Sequence, residues 1–479
     1  MALDAGSQDP LYQQLADLLT EQIGAGVFRP GDRLPSVRRL HTQHTVSVTT
    51  VLEACRVLED RGLIRARPKS GYYVQRPAAT REPDVPTAAS RSRRVDRSLA
   101  LDINLGIGNP QHPTLGAAVQ GPELMPITTI NRLLAQVNRL HPTACHSYDA
   151  PPGSIELRRA IARRSADAGY TVSPDEIVIT GGAKEAVYLS IRTVTKPGDT
   201  VAIESPAYYA LLEVLASLDL RAVEIPSHPR HGIDLDRLER VLQRQRIAAI
   251  ALMANFSNPT GSCMPDDAKR RLVELAEHHG TPIVDDDVYG NLAFDGHRPR
   301  SLKAFDTSGI VMSCASYSKS LSPGLRVGWA IPGRFLERFE LLKLVVNQAT
   351  AVAPQLAIAA YLESGGFDRH LRRVQRTYAA QMDRMIDAVE RHLPGETRHT
   401  VPRGGHVLWI QLPAGVDSIE LYHDAHRHGI QFAPGPMFSA AGGFRDHLRL
   451  NTGFPHTSAT DEQVATLGRL VAEHRTRRA

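Results

Sequence analysis

Leu11, Leu15, Leu18, Leu19 and Ile23 recur at helical intervals in "DPLYQQLADLLTEQIGAGVFRPGD", and the run closes at Gly24 and Gly26. That spacing predicts an amphipathic helix with a glycine stop. "LPSVRRLHTQHT" predicts a second, shorter helix capped by Ser36, and "SVTTVLEACRVLEDRG" a third from Ser47 to Gly62. In "LIRARPKSGYYV" the period changes, and the stretch reads as two short strands around a turn at Pro68 to Gly71. The order is three helices followed by a hairpin, complete by about Val74.

The next stretch, "QRPAATREPDVPTAASRSRRVDRS", has no apolar periodicity and is rich in Pro, Ala, Ser and charge. A flexible linker is expected there, with solvated arginines. From about Leu101 short apolar runs alternate with helical patterns. "EIVIT", "TVAIE", "RAVEI", "IAAIALMAN", "PIVDDD" and "GIVMSCAS" read as buried strands; "DLDRLERVLQRQ" and "DDAKRRLVELAEHHG" read as helices between them. The alternation predicts an α/β domain on a mostly parallel central sheet. From about Phe335, long helices precede "HVLWIQL" and "DHLRLNTGF", which predict a smaller C-terminal α+β subdomain. The expected division is 1–75, a linker over 76–100, and a body over 101–479.

The 479 residues suffice for two or three domains. Hydrophobic residues make up 42% and charged residues 22%, the balance of a packed chain rather than a disordered one. A formal net charge of +5 over this length does not by itself indicate nucleic acid. Cys55, Cys145, Cys263 and Cys314 form no C-x-x-C pair, so free thiols in a reducing compartment are expected. "MALDAGSQDP" has no basic n-region or apolar h-region, and no apolar run approaches the roughly 20 residues of a membrane helix. The expectation is a cytoplasmic protein with no membrane partner and no metal.

Candidate chemistry gathers where strands end, because ligands of such sheets bind beyond the carboxyl ends of parallel strands. "TGGAKEA", "NFSNPTG", "DDVYG" and "SYSKSLSPGLRVGW" each follow an apolar run. Singly, each has a plain explanation: a turn at "TGG" or "NPTG", a helix cap at Asp286, a surface charge at Arg326. Jointly they predict one site. At its centre is Lys319, a residue type that usually keeps its head in water.

At these residues the chain resembles the fold-type I pyridoxal-phosphate aminotransferases. The resemblance implies pyridoxal 5'-phosphate as cofactor, with Lys319 forming the Schiff base to its aldehyde, which requires a desolvated amine that can be neutral. Ser316 and Arg326 resemble ligands of the cofactor phosphate, joined by the N–H groups of Gly182 and Ala183 at a helix start. Asp286 resembles the aspartate at the pyridinium nitrogen. Tyr289 and Asn258 resemble the donors to the ring phenolate oxygen, and Tyr208 the aromatic residue stacked on the ring. Tyr148 resembles the tyrosine that reaches the neighbouring subunit's cofactor, which implies a homodimer. Arg449 resembles the arginine that grips a substrate α-carboxylate. Catalytic roles fall to Lys319, Asp286 and Tyr289.

The opening segment is similar to the winged helix-turn-helix of the GntR family, with "FRPGDRLPSVRRL", "SVTTVLEACRVLEDRGLI" and "SGYYV" in that family's order. Such a head before an aminotransferase-like body is the layout of the MocR/GabR regulators. The resemblance makes the third helix a recognition helix for double-stranded DNA, with Ser47, Thr49 and Thr50 near its N-terminus. Arg38 matches a family DNA contact; Ser36 lies beside it, and Arg33 is expected near phosphate. Arg67, Lys69, Ser70 and Gly71 would form the wing tip in the minor groove, with Tyr72 and Tyr73 packing the wing strand. Two departures stand out: Val48 and Leu52 occupy places where many members carry arginine, and Lys69-Ser70-Gly71 replaces Gly-x-Gly.

Three functions follow. The first is a transcription regulator whose body senses pyridoxal phosphate alone or with a small amino compound. The second is a working aminotransferase with a secondary head. The third is a regulator of vitamin B6 supply that senses the cofactor alone. The head favours the first over the second, and Arg449 favours an amino compound over the cofactor alone.

Overall fold

Leu15, Leu19 and Ile23 turn one stripe of the first helix, α1 (Leu11–Gly24), into a small core. The computed structural model describes residues 10–25, 27–28, 32–67, 71–74, 82–85, 91–95 and 115–478. Two compact units divide the chain, residues 1–82 and 83–479.

In the first unit α1 is followed by α2 (Val37–His44) and α3 (Val48–Asp60), then by the hairpin of β1 (Ile64–Arg67) and β2 (Gly71–Val74). Ser36 and Ser47 cap their helices, accepting from Arg39 N at 3.3 Å and Thr50 N at 3.0 Å. Thr45, left-handed with φ 54°, reverses the chain between α2 and α3. Val51, Ala54 and Leu58 of α3 pack on α1, Leu40, Ile64 and Val74. Glu59 accepts the Ala66 N–H at 2.7 Å and ties the hairpin to α3.

The second unit has thirteen strands among its described residues. They are β3 (Arg93–Arg94), β4 (Val178–Thr180), β5 (Thr200–Ser205), β6 (Arg221–His228), β7 (Gly232–Ile233), β8 (Ala249–Leu252), β9 (Ile283–Asp286), β10 (Val311–Ser316), β11 (Gly328–Ile331), β12 (Arg398–His399), β13 (Val407–Gln411), β14 (Ala433–Pro434) and β15 (His447–Asn451). The large sheet runs β3-β6-β5-β8-β9-β10-β11-β4, with β7 on β6. β6, β5, β8, β9 and β10 are mutually parallel, as their continuous apolar runs predict. On one side β11 runs antiparallel between β10 and β4, so β4 again points the same way as the five. Helices cover both faces, and a four-stranded antiparallel sheet, β12-β13-β15-β14, forms the smaller subdomain. No helix among the described residues is long and apolar enough to cross a membrane.

The expected linker over 76–100 needs correcting. Pro83 is buried, and Asp84 accepts from Arg398 while its N–H donates to Gln411 Oε1 at 2.9 Å. Ser92 accepts from Arg221 Nε at 2.8 Å, and β3 pairs antiparallel with β6, Arg93 opposite Ala222. Val95 is buried in the core under β5. These pieces therefore belong to the body. Edge pairing is a backbone interaction, and two paired residues leave no hydrophobic period to read. Arg93 and Arg94 do stay exposed, Arg94 pairing with Asp219 at 2.9 Å.

Candidate functional site

Five parallel strands end at one edge of the large sheet, and a cavity of about 290 Å³ lies beyond them. Its lining includes Lys319, Asp286, Tyr208, Ser316, Arg326 and Ala183. Six of the residues expected in the cofactor site thus meet around one space.

Asp286 ends β9 in a run of three aspartates, and strand alternation separates their fates. Asp285 and Asp287 turn to one side. There Arg298 pairs with Asp287 at 2.5 Å, Asn255 donates to Asp287 at 3.0 Å, and Ala254 N donates to Asp285 at 3.3 Å. Asp286 turns to the cavity, and its Oδ1 is buried without a hydrogen-bond partner. Burial, then the charge of Asp287, pushes its carboxyl up to about 7, opposed by Lys319. A buried carboxylate left open in this way calls for a cationic N–H opposite it.

Lys319 follows β10, and its Nζ donates to the Ala118 carbonyl. Burial, then the positive charge of Arg449, pushes the amine down to about 8. That places a usable neutral fraction near physiological pH, the condition for a nucleophilic lysine.

The helix Ala183–Val194 begins at the cavity, so its first N–H groups favour an anion there. Gly182 holds φ 101°, and a Cβ on it would sit 2.6 Å from Arg326 Nη2. Arg326, itself left-handed with φ 52°, donates from Nη2 to the Gly181 carbonyl at 2.8 Å. Glu185 accepts the Gly181 N–H and is held by the buried Lys343 at 2.9 Å. The loop is thus pinned from behind with its N–H groups and Arg326 in front. Ser316 Oγ accepts from Ser318 N at 3.2 Å, and both serines line the cavity.

Asn258, Tyr289 and Arg449 lie outside that lining, though the charge of Arg449 acts on Lys319 and Tyr289 interacts with Tyr208. The Tyr289 side chain is buried beside Asn258, and burial pushes its phenol up. Arg449 is fully buried on β15, donating to Asn258 Oδ1 at 3.0 Å and to the Gly116 carbonyl, with Nε unpartnered. Its guanidinium carbon lies 5.3 Å from the Phe438 ring centroid and 6.0 Å from that of Tyr209. Among the described residues no carboxylate pairs with it. Tyr148 stands apart, 87% exposed and outside the cavity of its own chain.

Two site residues escaped the sequence reading. Glu204, at the end of β5, lines the cavity, accepts from Met253 N at 3.0 Å, and is pushed up to about 8 by burial. Its signal was available: an acid closing the apolar run "TVAIE", the same logic that singles out Asp286. His406 packs edge-on against Tyr289 with centroids 5.2 Å apart and shares Nδ1 with Asn451 at 2.9 Å. Burial, then Lys319, pushes it down to about 3, so it is a neutral wall beside the lysine. No sequence pattern marks it.

In the first unit Arg33, Ser36, Arg38, Ser47 and Thr49 are exposed. Thr50 is half-buried, its hydroxyl 2.8 Å from Ser47 Oγ, so both belong to the α3 cap. Arg33 bridges Tyr73, with its guanidinium against Gly71 at the hairpin tip. Tyr72 packs on the head core. Lys69 and Ser70 lie outside the described residues, as does the side chain of Arg67.

Comparison with known proteins matches residues 102–466 to the family described as Aminotransferase class I and II, and residues 11–74 to Bacterial regulatory proteins, gntR family. The uncharacterized HTH-type transcriptional regulator YdcR of Escherichia coli strain K12 is 39% identical over 96% of this chain and 99% of its own length. The 2-aminoadipate transaminase of Thermus thermophilus is 31% identical over 74% of this chain and 89% of its own. The crystal structure of the Thermus thermophilus α-aminoadipate aminotransferase LysN, complexed with N-(5'-phosphopyridoxyl)-L-leucine, superposes with a TM-score of 0.73 at 30% identity, covering 80% of this chain and 96% of that one.

Proposed function

The chain belongs to the aminotransferase class I and II family, in the group of HTH-type transcriptional regulators that carry a GntR head; from that premise we propose that it is a dimeric regulator, acting in the cytoplasm, that binds double-stranded DNA through the head and senses a small amino compound in a pyridoxal-phosphate pocket. The observation that carries the reading is the match to YdcR along head and body together, over 96% of the chain. An enzyme of this fold has no need of the head.

The pocket's open groups fit the cofactor. Asp286 Oδ1 is buried without a partner, and the Gly182 loop offers an anion cradle against Arg326. When bound, pyridoxal phosphate supplies an electron sink and an aldehyde that captures amines. Asp286 would hold a proton at the ring nitrogen. Tyr289 and Asn258 would donate to the phenolic oxygen, Tyr208 would cover the ring, and Ser316, Arg326, Gly182 and Ala183 would hold the phosphate. Lys319 would hold the cofactor through its amine and would take up or give a proton at Nζ. Arg449, buried and with no carboxylate partner among the described residues, would orient the carboxylate of an amino compound. Tyr148, exposed on its own chain, is free to serve a second subunit.

A second reading, a working aminotransferase, is favoured by the same complete residue set. The test uses the full-length, cofactor-loaded protein. Duplexes recovered from a random library should bind in a mobility-shift assay, with affinity falling as salt rises. A panel of amino acids with 2-oxo acids should give slow turnover or none. Rapid transamination by a protein that binds no duplex would replace the regulator with the enzyme.

A further inference from the structure

Helix α3 has two apolar faces where a helix of a small domain needs one. Val51, Ala54, Cys55 and Leu58 form the buried face, none with measurable exposure. Val48 and Leu52, one turn apart in the first half of the helix, are 44% and 45% exposed. Thr49 beside them is exposed, and so are Arg38 and Arg39 on α2 and Arg56 further along α3. Glu53, which follows Leu52, lies 3.6 Å from Arg56. Helices α2 and α3 thus carry both an exposed apolar pair and exposed guanidinium groups.

The guanidinium groups and the pair call for different partners. Arginines suit phosphate or guanine, whereas the major groove offers one apolar feature, the C5 methyl group of thymine. N-terminal residues of a recognition helix are the ones that reach base edges. We infer that Val48 and Leu52 read thymine methyl groups in the operator, so that the sites this protein prefers are set by thymine at the positions facing these two side chains. A second protein is a poor alternative occupant, since two side chains fall far short of the roughly 800 Å² per partner of a stable protein interface. The exposed guanidinium groups also suit a polyanion. The inference rests on the proposed DNA-binding function and adds its base preference.

Deoxyuridine differs from thymidine only by that methyl group. Sites would be selected from a random duplex library with the full-length, cofactor-loaded protein, and each thymine then replaced singly by uracil. Uracil should weaken binding about four-fold at one or two positions per half-site, the worth of one buried carbon each. Val48→Ala and Leu52→Ala should each abolish the uracil penalty at their own position, with unchanged affinity for random duplex and an unchanged salt slope. Equal binding of thymine and uracil at every position in the wild type would overturn the inference and leave DNA binding standing. A penalty that survives in both variants would overturn it too. Failure to bind any duplex would remove the proposed function and this inference together.

Discussion

Arg449 donates to Asn258 Oδ1 at 3.0 Å, so a fully buried guanidinium is held by an amide and a backbone carbonyl, and among the described residues no carboxylate neutralises it. A buried charge without a counter-charge is costly, and burial pushes this guanidinium down from its ordinary value. The cost is offset when an anion arrives. Arg449→Gln should therefore weaken carboxylate-bearing amino compounds about 10- to 100-fold, the worth of hydrogen bonds to a charged group. Amines lacking a carboxylate should bind variant and wild type alike. Calorimetric titration of matched pairs with and without the carboxylate reads the difference, and equal losses for both members would refute the role.

The Lys319 amine, held down to about 8 by burial and by Arg449, sets a pH profile. Only the neutral amine attacks an aldehyde, and its fraction falls tenfold for each pH unit below the pKa. Capture of pyridoxal phosphate by cofactor-free protein should rise with pH to about 8 and then level off. An ordinary lysine would keep accelerating to above pH 10. Stopped-flow absorbance gives the profile. Lys319→Ala should lose the visible band of the lysine-linked cofactor, and an unchanged spectrum in that variant would remove Lys319 from its place.

Much of this was legible because strand ends and helix starts are local events. Lys319, Asp286, Tyr208, Ser316 and Ala183 each close an apolar run or open a helix, and the fold only has to gather the ends. Arg449 was found by resemblance alone, since nothing in "HLRLNTG" marks its side chain as buried. β11 hid in "RVGWAIPG", after the very motif that drew attention to Lys319, and its antiparallel direction depends on pairing with β10 and β4. The β3 edge pairing and the Asp84 contacts rest on backbone and single polar groups, which carry no period. His406 matters only through its neighbours Tyr289 and Asn451, which are remote in sequence.

Gly182 offers a backbone test of the phosphate cradle. Its φ of 101° strains any L side chain, and a Cβ would press on Arg326 Nη2. Gly182→Ala should cost about tenfold in affinity for pyridoxal phosphate, through strain of about 1 kcal/mol or more. Pyridoxal, which has no phosphate, should be affected far less. Equal losses for the two ligands, measured by equilibrium dialysis, would place the damage outside the cradle.

The anchored pieces of the expected linker bear on how the two halves communicate. Asp84 is fastened to Arg398 and Gln411 in the small antiparallel sheet, while Ser92 to Val95 lie along β5 and β6 of the large one. The chain leaving the head is therefore tied to both parts of the body, and a ligand that changes how those parts meet changes what the ties can hold. Such a ligand acts only through its different affinity for the two arrangements. By linkage, operator DNA must then change effector affinity by the same factor, typically between about 5- and 150-fold. Titrating an amino compound into cofactor-loaded protein with and without operator measures that factor. Asp84→Ala should shrink it towards one, leaving operator affinity in the absence of the amino compound unchanged. Equal affinities with and without operator in the wild type, for every amino compound that binds, would sever the head from the pocket and return the body to the enzyme reading or to sensing of the cofactor alone.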